Sequence, residues 1–187
     1  MSKLVQLQQF RLMAQYNAWV NNRLYDIVAT LSAEERQRDR GAFFHSIQGT
    51  LNHLLLTDRI WLGRFSNSTP YTFPTLQATK LVFECESLSQ ILYPNFADLR
   101  VERSHTDRAI TQWMQDLEPE MLSAPMRYYN NARTVERTHA LWFGLAHFFN
   151  HQTHHRGQVT TLLTQMGYEY GITDVLAMYE FAGDLIQ

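Results

Sequence analysis

Cysteine is nearly missing from this chain: its 187 residues hold a single one, Cys85. That excludes an internal disulfide framework, a zinc ribbon and a CxxC redox pair. Chain breakers are also sparse, with 5 Pro and 8 Gly, so long regular elements are expected. Charge of one sign is lacking too. Sixteen Lys and Arg face 18 Asp and Glu for a net charge of −2, without the basic excess that marks a nucleic-acid binder. Nor does any stretch approach the ~18 apolar residues of a membrane span. The best candidate, Ala140 to Phe149, is too short and contains His147. The opening MSKLVQLQQFRLMAQYN breaks its apolar run with Gln and Arg before a signal-peptide core forms. A soluble, cytoplasmic protein without nucleic-acid or membrane partners is the expectation.

Disorder is excluded by what is present. Hydrophobic residues make up 45% and aromatics 13%, at low net charge. At ~150 residues per domain, one domain spanning 1–187 is expected.

Apolar residues recur in steps of three and four at Met13, Tyr16, Val20, Leu24, Ile27 and Leu31, which predicts a first helix over 7–31. Ser32 and Glu35 form a capping box for a short element after it. A second helix is predicted from about Phe44–Ser46 to Phe65, then a loop over Ser66–Thr75. The steps Leu81, Cys85, Leu88, Leu92, Phe96, Leu99 and on to Leu117 predict a third helix, kinked or broken at Pro94. This reading puts Cys85 on its apolar stripe as a small core residue. A small β-hairpin is weakly signalled in the 119–133 loop by Met126–Tyr129 and the turn pair Asn130-Asn131. A fourth helix is predicted over 134–166, closed by Gly167, and Asp174 is positioned to cap a last short helix through Phe181. The fold class that follows is all-α: a four-helix bundle with long helices and a crossover connection.

Of the eight histidines, five fall between His139 and His155. At roughly 100° per residue, His147, His151, His154, His155 and Gln158 share one arc of the fourth helix with Gly144, Phe148 and Leu162. That arc is expected to face the bundle interior. A lone histidine on an apolar face is more often a hydrogen-bonded core residue than a ligand. Several crowded together lose hydration and resist protonation, and neutral imidazole is the form that binds metal. His151 and His155, four apart, can converge on one ion. A third ligand must come from elsewhere, and His53 on the second helix is the best placed, among apolar neighbours. His45, His105 and His139 read as solvated or capping residues.

The blocks Phe44-x-Ser46-Ile47-x-x-Thr50-Leu51-Asn52-His53 (with Asp58 and Trp61), His151-Gln152-Thr153-His154-His155-Arg156-Gly157-Gln158 and Tyr16-Asn17-x-Trp19-x-x-Asn22 resemble the DinB-like, DNA-damage-inducible family. The resemblance spans about residues 4–167. It implies a four-helix bundle with one divalent ion, zinc or nickel, on His53, His151 and His155, and often a homodimer. Some members of that family are transferases or isomerases that use a low-molecular-weight thiol. Nothing in the family's name argues for DNA binding.

His147 and His154 are then additional to the ligand set. Gln158 reads either as orienting a metal-bound water or as a core glutamine bonding another helix. Arg156 is expected to pair with Asp58 or another acid. The functional expectation is a metal-dependent enzyme with an open coordination position: a hydrolase, or a transferase taking a small-molecule substrate and a low-molecular-weight thiol. The alternative is a non-catalytic metal-binding structural or dimeric module. No catalytic residue is identified. The histidine arc carries no carboxylate between its ligands, unlike HExxH, and Tyr16, Tyr128 and Tyr129 are the remaining candidates for a base.

Overall fold

The computed structural model describes residues 2–182. Four long helices form the frame: α1 (Lys3–Thr30), α3 (Ile47–Asn67), α5 (Phe96–Asp116) and α6 (Leu141–Gln165). Shorter pieces join them: α2 (Ala33–Gln37), α4 (Pro74–Gln77), a 3-10 turn (Pro119–Ser123), the strands β1 (Pro125–Tyr129) and β2 (Glu136–Ala140), and α7 (Val175–Ala182). α1 packs beside α5 and α6, and α3 beside the same two, so α1 and α3 lie diagonally. The link between them therefore crosses the bundle end. Among the described residues no helix is long and apolar enough to cross a membrane.

Local signals set most boundaries. Ser2, Ser32, Ser46 and Asn95 each cap a helix through a side-chain oxygen, and Ser32 with Glu35 completes the capping box. Gly167 takes φ +83, the left-handed turn that ends α6.

Two predicted helices are shorter than their periodicity implied. The third does not begin at Leu81 and is not kinked at Pro94. Residues 78–95 form a loop, and α5 starts at Phe96 behind the Asn95 cap. Proline disfavours helix in the residue before it, and Asn95 offers its Oδ1 to the amides of Ala97 and Asp98. Cys85 consequently sits half-buried in that loop, not on a helical core stripe. The fourth helix begins at Leu141, not Thr134, because 136–140 pair antiparallel with 125–129. The hairpin is real, but its second strand lies beyond the predicted 119–133 loop. The amide of Leu141 bonds the Ala124 carbonyl at the foot of the hairpin, so the backbone caps α6 where Ala140 has no side chain to do it.

The core is interrupted at mid-height. One apolar cluster gathers Phe10, Leu62, Phe65, Trp113, Leu145 and Phe148, and a second gathers Leu24, Val28, Leu51, Leu55, Leu99, Val159 and Leu163. Between them all four long helices carry buried polar residues: Asn17 and Asn21, Asp58, Arg103 and Asp107, Gln152 and Arg156. Arg103 donates to Asp58 at 2.5 Å and lies 2.7 Å from Asp107, which also accepts from Asn21 at 3.1 Å. Two arginines and two aspartates cancel in formal charge. Burial nonetheless pushes both carboxyl groups up from their ordinary values, against the pull of Arg103. Arg156 does not pair with Asp58 as expected. It donates to Asn17 and Thr153 and lies over the Tyr16 ring, while Asp58 is taken by Arg103.

Candidate metal centre

α3 and α6 run side by side and bring His53, His151 and His155 together. The Nε2 of His151 lies 3.3 Å from that of His53 and 3.1 Å from that of His155, and one ligand nitrogen from each ring falls within 4.8 Å of the others. The arc does not face the middle of the bundle as the periodicity implied. It borders the core on the α3–α6 flank: His53 and His155 are buried, His151 is half-buried, and His147 and His154 are exposed.

Two rings are fixed from behind. The Nδ1 of His53 bonds the Leu88 carbonyl at 2.8 Å, and a carbonyl only accepts, so Nδ1 carries the proton. The Nδ1 of His155 meets Gln158 Oε1 at 2.8 Å, and the Gln158 amide nitrogen faces His154 at 3.2 Å. With its NH2 group donating to His154, Gln158 turns its oxygen to His155, which again protonates Nδ1. Gln158 thus orients a ring rather than a water, and its partners are on its own helix. Both Nε2 lone pairs then point at His151, whose one Nε2–H can satisfy one of them well but not two.

Protonation does not relieve this crowding. Burial, outweighing the bond to Leu88, pushes His53 down to about 4, and burial with the neighbouring imidazoles pushes His151 down to about 3. His155 is lowered as well, chiefly by burial. Neutral, inward-facing nitrogens are what a cation of borderline softness takes. Nitrogens held ~2.0–2.1 Å from one tetrahedral ion stand roughly 3.3 Å apart, which matches the spacings of His151 from His53 and from His155. The donor set therefore fits a divalent ion.

Local sequence builds the support. Gly41 at φ +70 and His45 at φ +63 fold the 39–46 segment back on itself, and exposed His45 contacts Asp39 at 3.3 Å. This brings the Phe44 ring onto His53, with centroids 3.7 Å apart and planes 17° from parallel. The close return requires Gly49, where a Cβ would lie 2.2 Å from the Phe44 carbonyl oxygen. Asn52 bonds both the carbonyl and the amide of Tyr93, at 3.2 and 2.9 Å, and Gln48 bonds the Pro94 carbonyl at 2.6 Å. Together they pin the loop that carries the Leu88 carbonyl to His53.

A cavity of about 610 Å³ opens beside the imidazoles. Its walls include His53, His151, Trp61 and Arg64 from the bundle helices, and Tyr128, Arg137 and His139 from the hairpin. The pairing Tyr128↔Arg137 and Met126↔His139 puts these hairpin residues on one face. His139 is therefore not the solvated or capping residue expected: its Nε2 meets the Tyr128 hydroxyl at 3.0 Å. His105 is exposed, 3.9 Å from Glu102. His147 packs on Trp61 with ring centroids 4.8 Å apart and borders the cavity, outside the three-nitrogen group.

Of the tyrosines considered as bases, Tyr128 alone lines this cavity, and burial raises its hydroxyl above the ordinary value. Tyr16 bonds the Thr173 carbonyl on another side of the bundle, and Tyr129 is exposed. Sequence reasoning named Tyr128 but missed Arg137 and the Leu88 carbonyl. Tyr128 and Arg137 share a face only through a register that the sequence does not display, and a carbonyl leaves no trace in residue type.

The DinB family model matches residues 1–185. Protein DinB of Bacillus subtilis (strain 168) is 29% identical over 161 residues, covering 86% of this chain and 87% of its own. The crystal structure of a DinB-like protein from Bacillus cereus ATCC 10987 aligns with a TM-score of 0.59 at 15% identity, over 86% of this chain and 94% of that one, a likeness of fold.

Proposed function

This chain belongs to the DinB family, and from that premise we propose that His53, His151 and His155 hold one divalent ion, zinc or nickel, in a metal-dependent transferase that activates a low-molecular-weight thiol. The observation that carries this reading is the set of three neutral imidazole nitrogens turned toward one another at the wall of an open cavity. A bound ion would supply Lewis-acid stabilisation of a thiolate, or of hydroxide, near neutral pH.

The chain's own residues do the rest. Leu88 and Gln158 hold the ligand rings in one tautomer, and Phe44 closes the His53 ring off from one side. Trp61 and Tyr128 wall the cavity with aromatic surface. No Asp or Glu among the described residues lines it, so none there offers a carboxylate base for activating water. That favours thiol transfer over hydrolysis, because a thiol loses its proton far more readily than water does. The homodimer expected from the family resemblance is part of the same proposal, and light scattering on the purified chain tests it.

Elemental analysis of gently purified protein tests the metal centre. About one zinc or nickel per chain is expected, and none in His53→Ala or His151→Ala. Metal-dependent turnover with a thiol acceptor is expected in the loaded protein. A stoichiometric ion without turnover on thiol, ester or amide substrates would make this a structural metal site instead.

A further inference from the structure

We propose that the cavity beside the imidazoles binds the carboxylate of an organic substrate through Arg64, with Arg137 at its mouth. The inference rests on reading this cavity as the substrate site, and it does not require the ion.

Arg59 meets Glu102, Arg103 meets Asp58 and Asp107, Arg100 meets Asp26 and Arg133 meets Glu84, while Arg11 and Arg156 donate to two oxygens each. Arg64 has a single oxygen partner. It is half-buried, yet no carboxylate lies within ion-pair distance among the described residues. Its guanidinium packs against the rings of both Trp61 and Tyr128, 4.8 and 4.7 Å from their centroids, and one nitrogen donates to the Asn131 side-chain oxygen. These contacts hold the group in place and leave most of its five N–H donors unspent. With Arg137 lining the same cavity and no carboxylate among its described lining residues, the site is electropositive.

Arg137 stands directly across the hairpin from Tyr128 and lines the same cavity. A planar, rigidly oriented guanidinium with free N–H edges matches a carboxylate in shape and charge. The aromatic walls suit an apolar body attached to that carboxylate. A substrate held this way would keep its charged end at Arg64 and present the rest of its length toward His151.

The test uses simple arylalkyl carboxylates, phenylacetate and 4-phenylbutyrate, with phenylacetamide as the uncharged counterpart. Each is titrated calorimetrically into the full chain, both as purified and after chelation, so that direct binding to an ion is separated out. Saturable binding of a carboxylate to both forms is expected, with the amide at least ~10-fold weaker. Arg64→Gln is expected to cost a further ~10-fold or more, Arg64→Lys less, and the exposed Arg137→Gln a few-fold, all with unchanged metal content and melting temperature. No saturable carboxylate binding at millimolar concentrations, equal binding of acid and amide, or indifference to both Arg64→Gln and Arg137→Gln would overturn the proposal. Binding that appears only when metal is present would overturn it as well. Carboxylate binding in a protein that never takes up metal would sink the metal reading and leave this one standing.

Discussion

The bundle carries two groups of polar side chains between the same helices, built on opposite terms. At mid-height, Asp58, Arg103, Asp107 and Arg156 bring equal numbers of positive and negative charges, with Asn21 donating to Asp107 and Asn17 accepting from Arg156. On the α3–α6 flank, His53, His151 and His155 bring three acceptors toward one point and no internal donor able to serve them all. The first group balances its own charge and lies between two apolar clusters. The second crowds nitrogen lone pairs together without a counter-charge of its own, and it borders a cavity. Buried polarity is thus not by itself a sign of function. The useful question is whether the group satisfies itself.

Breaking the sealed group should have the largest effect on stability. Arg103→Met leaves two buried carboxyl groups facing each other without their cation, and a loss of about 3–5 kcal/mol of unfolding free energy is expected in denaturant titrations. His151→Ala, measured in metal-free protein, should change stability by less than about 1 kcal/mol, because it removes a half-buried ring from a crowd of lone pairs. If the two losses came out alike, the distinction between the groups would fail.

Adding and removing the ion sharpens the contrast next. At free metal 100-fold above its dissociation constant, the wild-type chain should gain about 2.7 kcal/mol, lost on chelation, whereas His53→Ala should gain nothing. Calorimetric melting with and without chelator checks this. Arg103→Met should retain the metal-linked increment on its lowered baseline.

Gln158→Leu separates a ligand from its support. The three nitrogens remain, but His155 loses the acceptor that fixes its Nδ1 proton. Metal affinity should fall about 10–100-fold, read by competition with a chromogenic chelator, while stoichiometry stays at one.

The smallest effect is a pH dependence at the edge of the sealed layer. Burial works to raise the Glu102 carboxyl, but hydrogen bonds from Lys80 and Arg59 outweigh it and bring it down to about 2. Its stabilising contribution is full above the ordinary glutamate value near 4.5 and is lost as pH falls from there toward 2. Acid unfolding of Glu102→Gln should be shallower than wild type in that window, and the two should run parallel above it.

The histidine spacing made the three-histidine group legible because a helix converts a four-residue interval into one face, and His53 stood out as a histidine within an apolar stretch. The long helices were legible for the same reason. Two boundaries were not. Leu81, Cys85, Leu88 and Leu92 keep helical spacing, but Pro94 and the Asn95 cap start the helix after them, and Leu81 and Leu92 pack against different core clusters. Val135 to Ala140 continued a helical run in sequence but found a partner strand in 125–129. Pairing of that kind depends on residues brought close by the fold. The polar layer also left a signal that went unread: every long helix carries polar residues on its buried face.

The hydrogen bond from His53 to Leu88 ends on the main chain. Every amino acid offers that oxygen, so the identity of residue 88 is free to drift over generations without disturbing the imidazole it aims. Spacing is not free in the same way. An insertion or deletion between Val82, whose amide holds the Arg59 carbonyl, and Tyr93, tied to Asn52, would slide the wrong peptide unit opposite the ring.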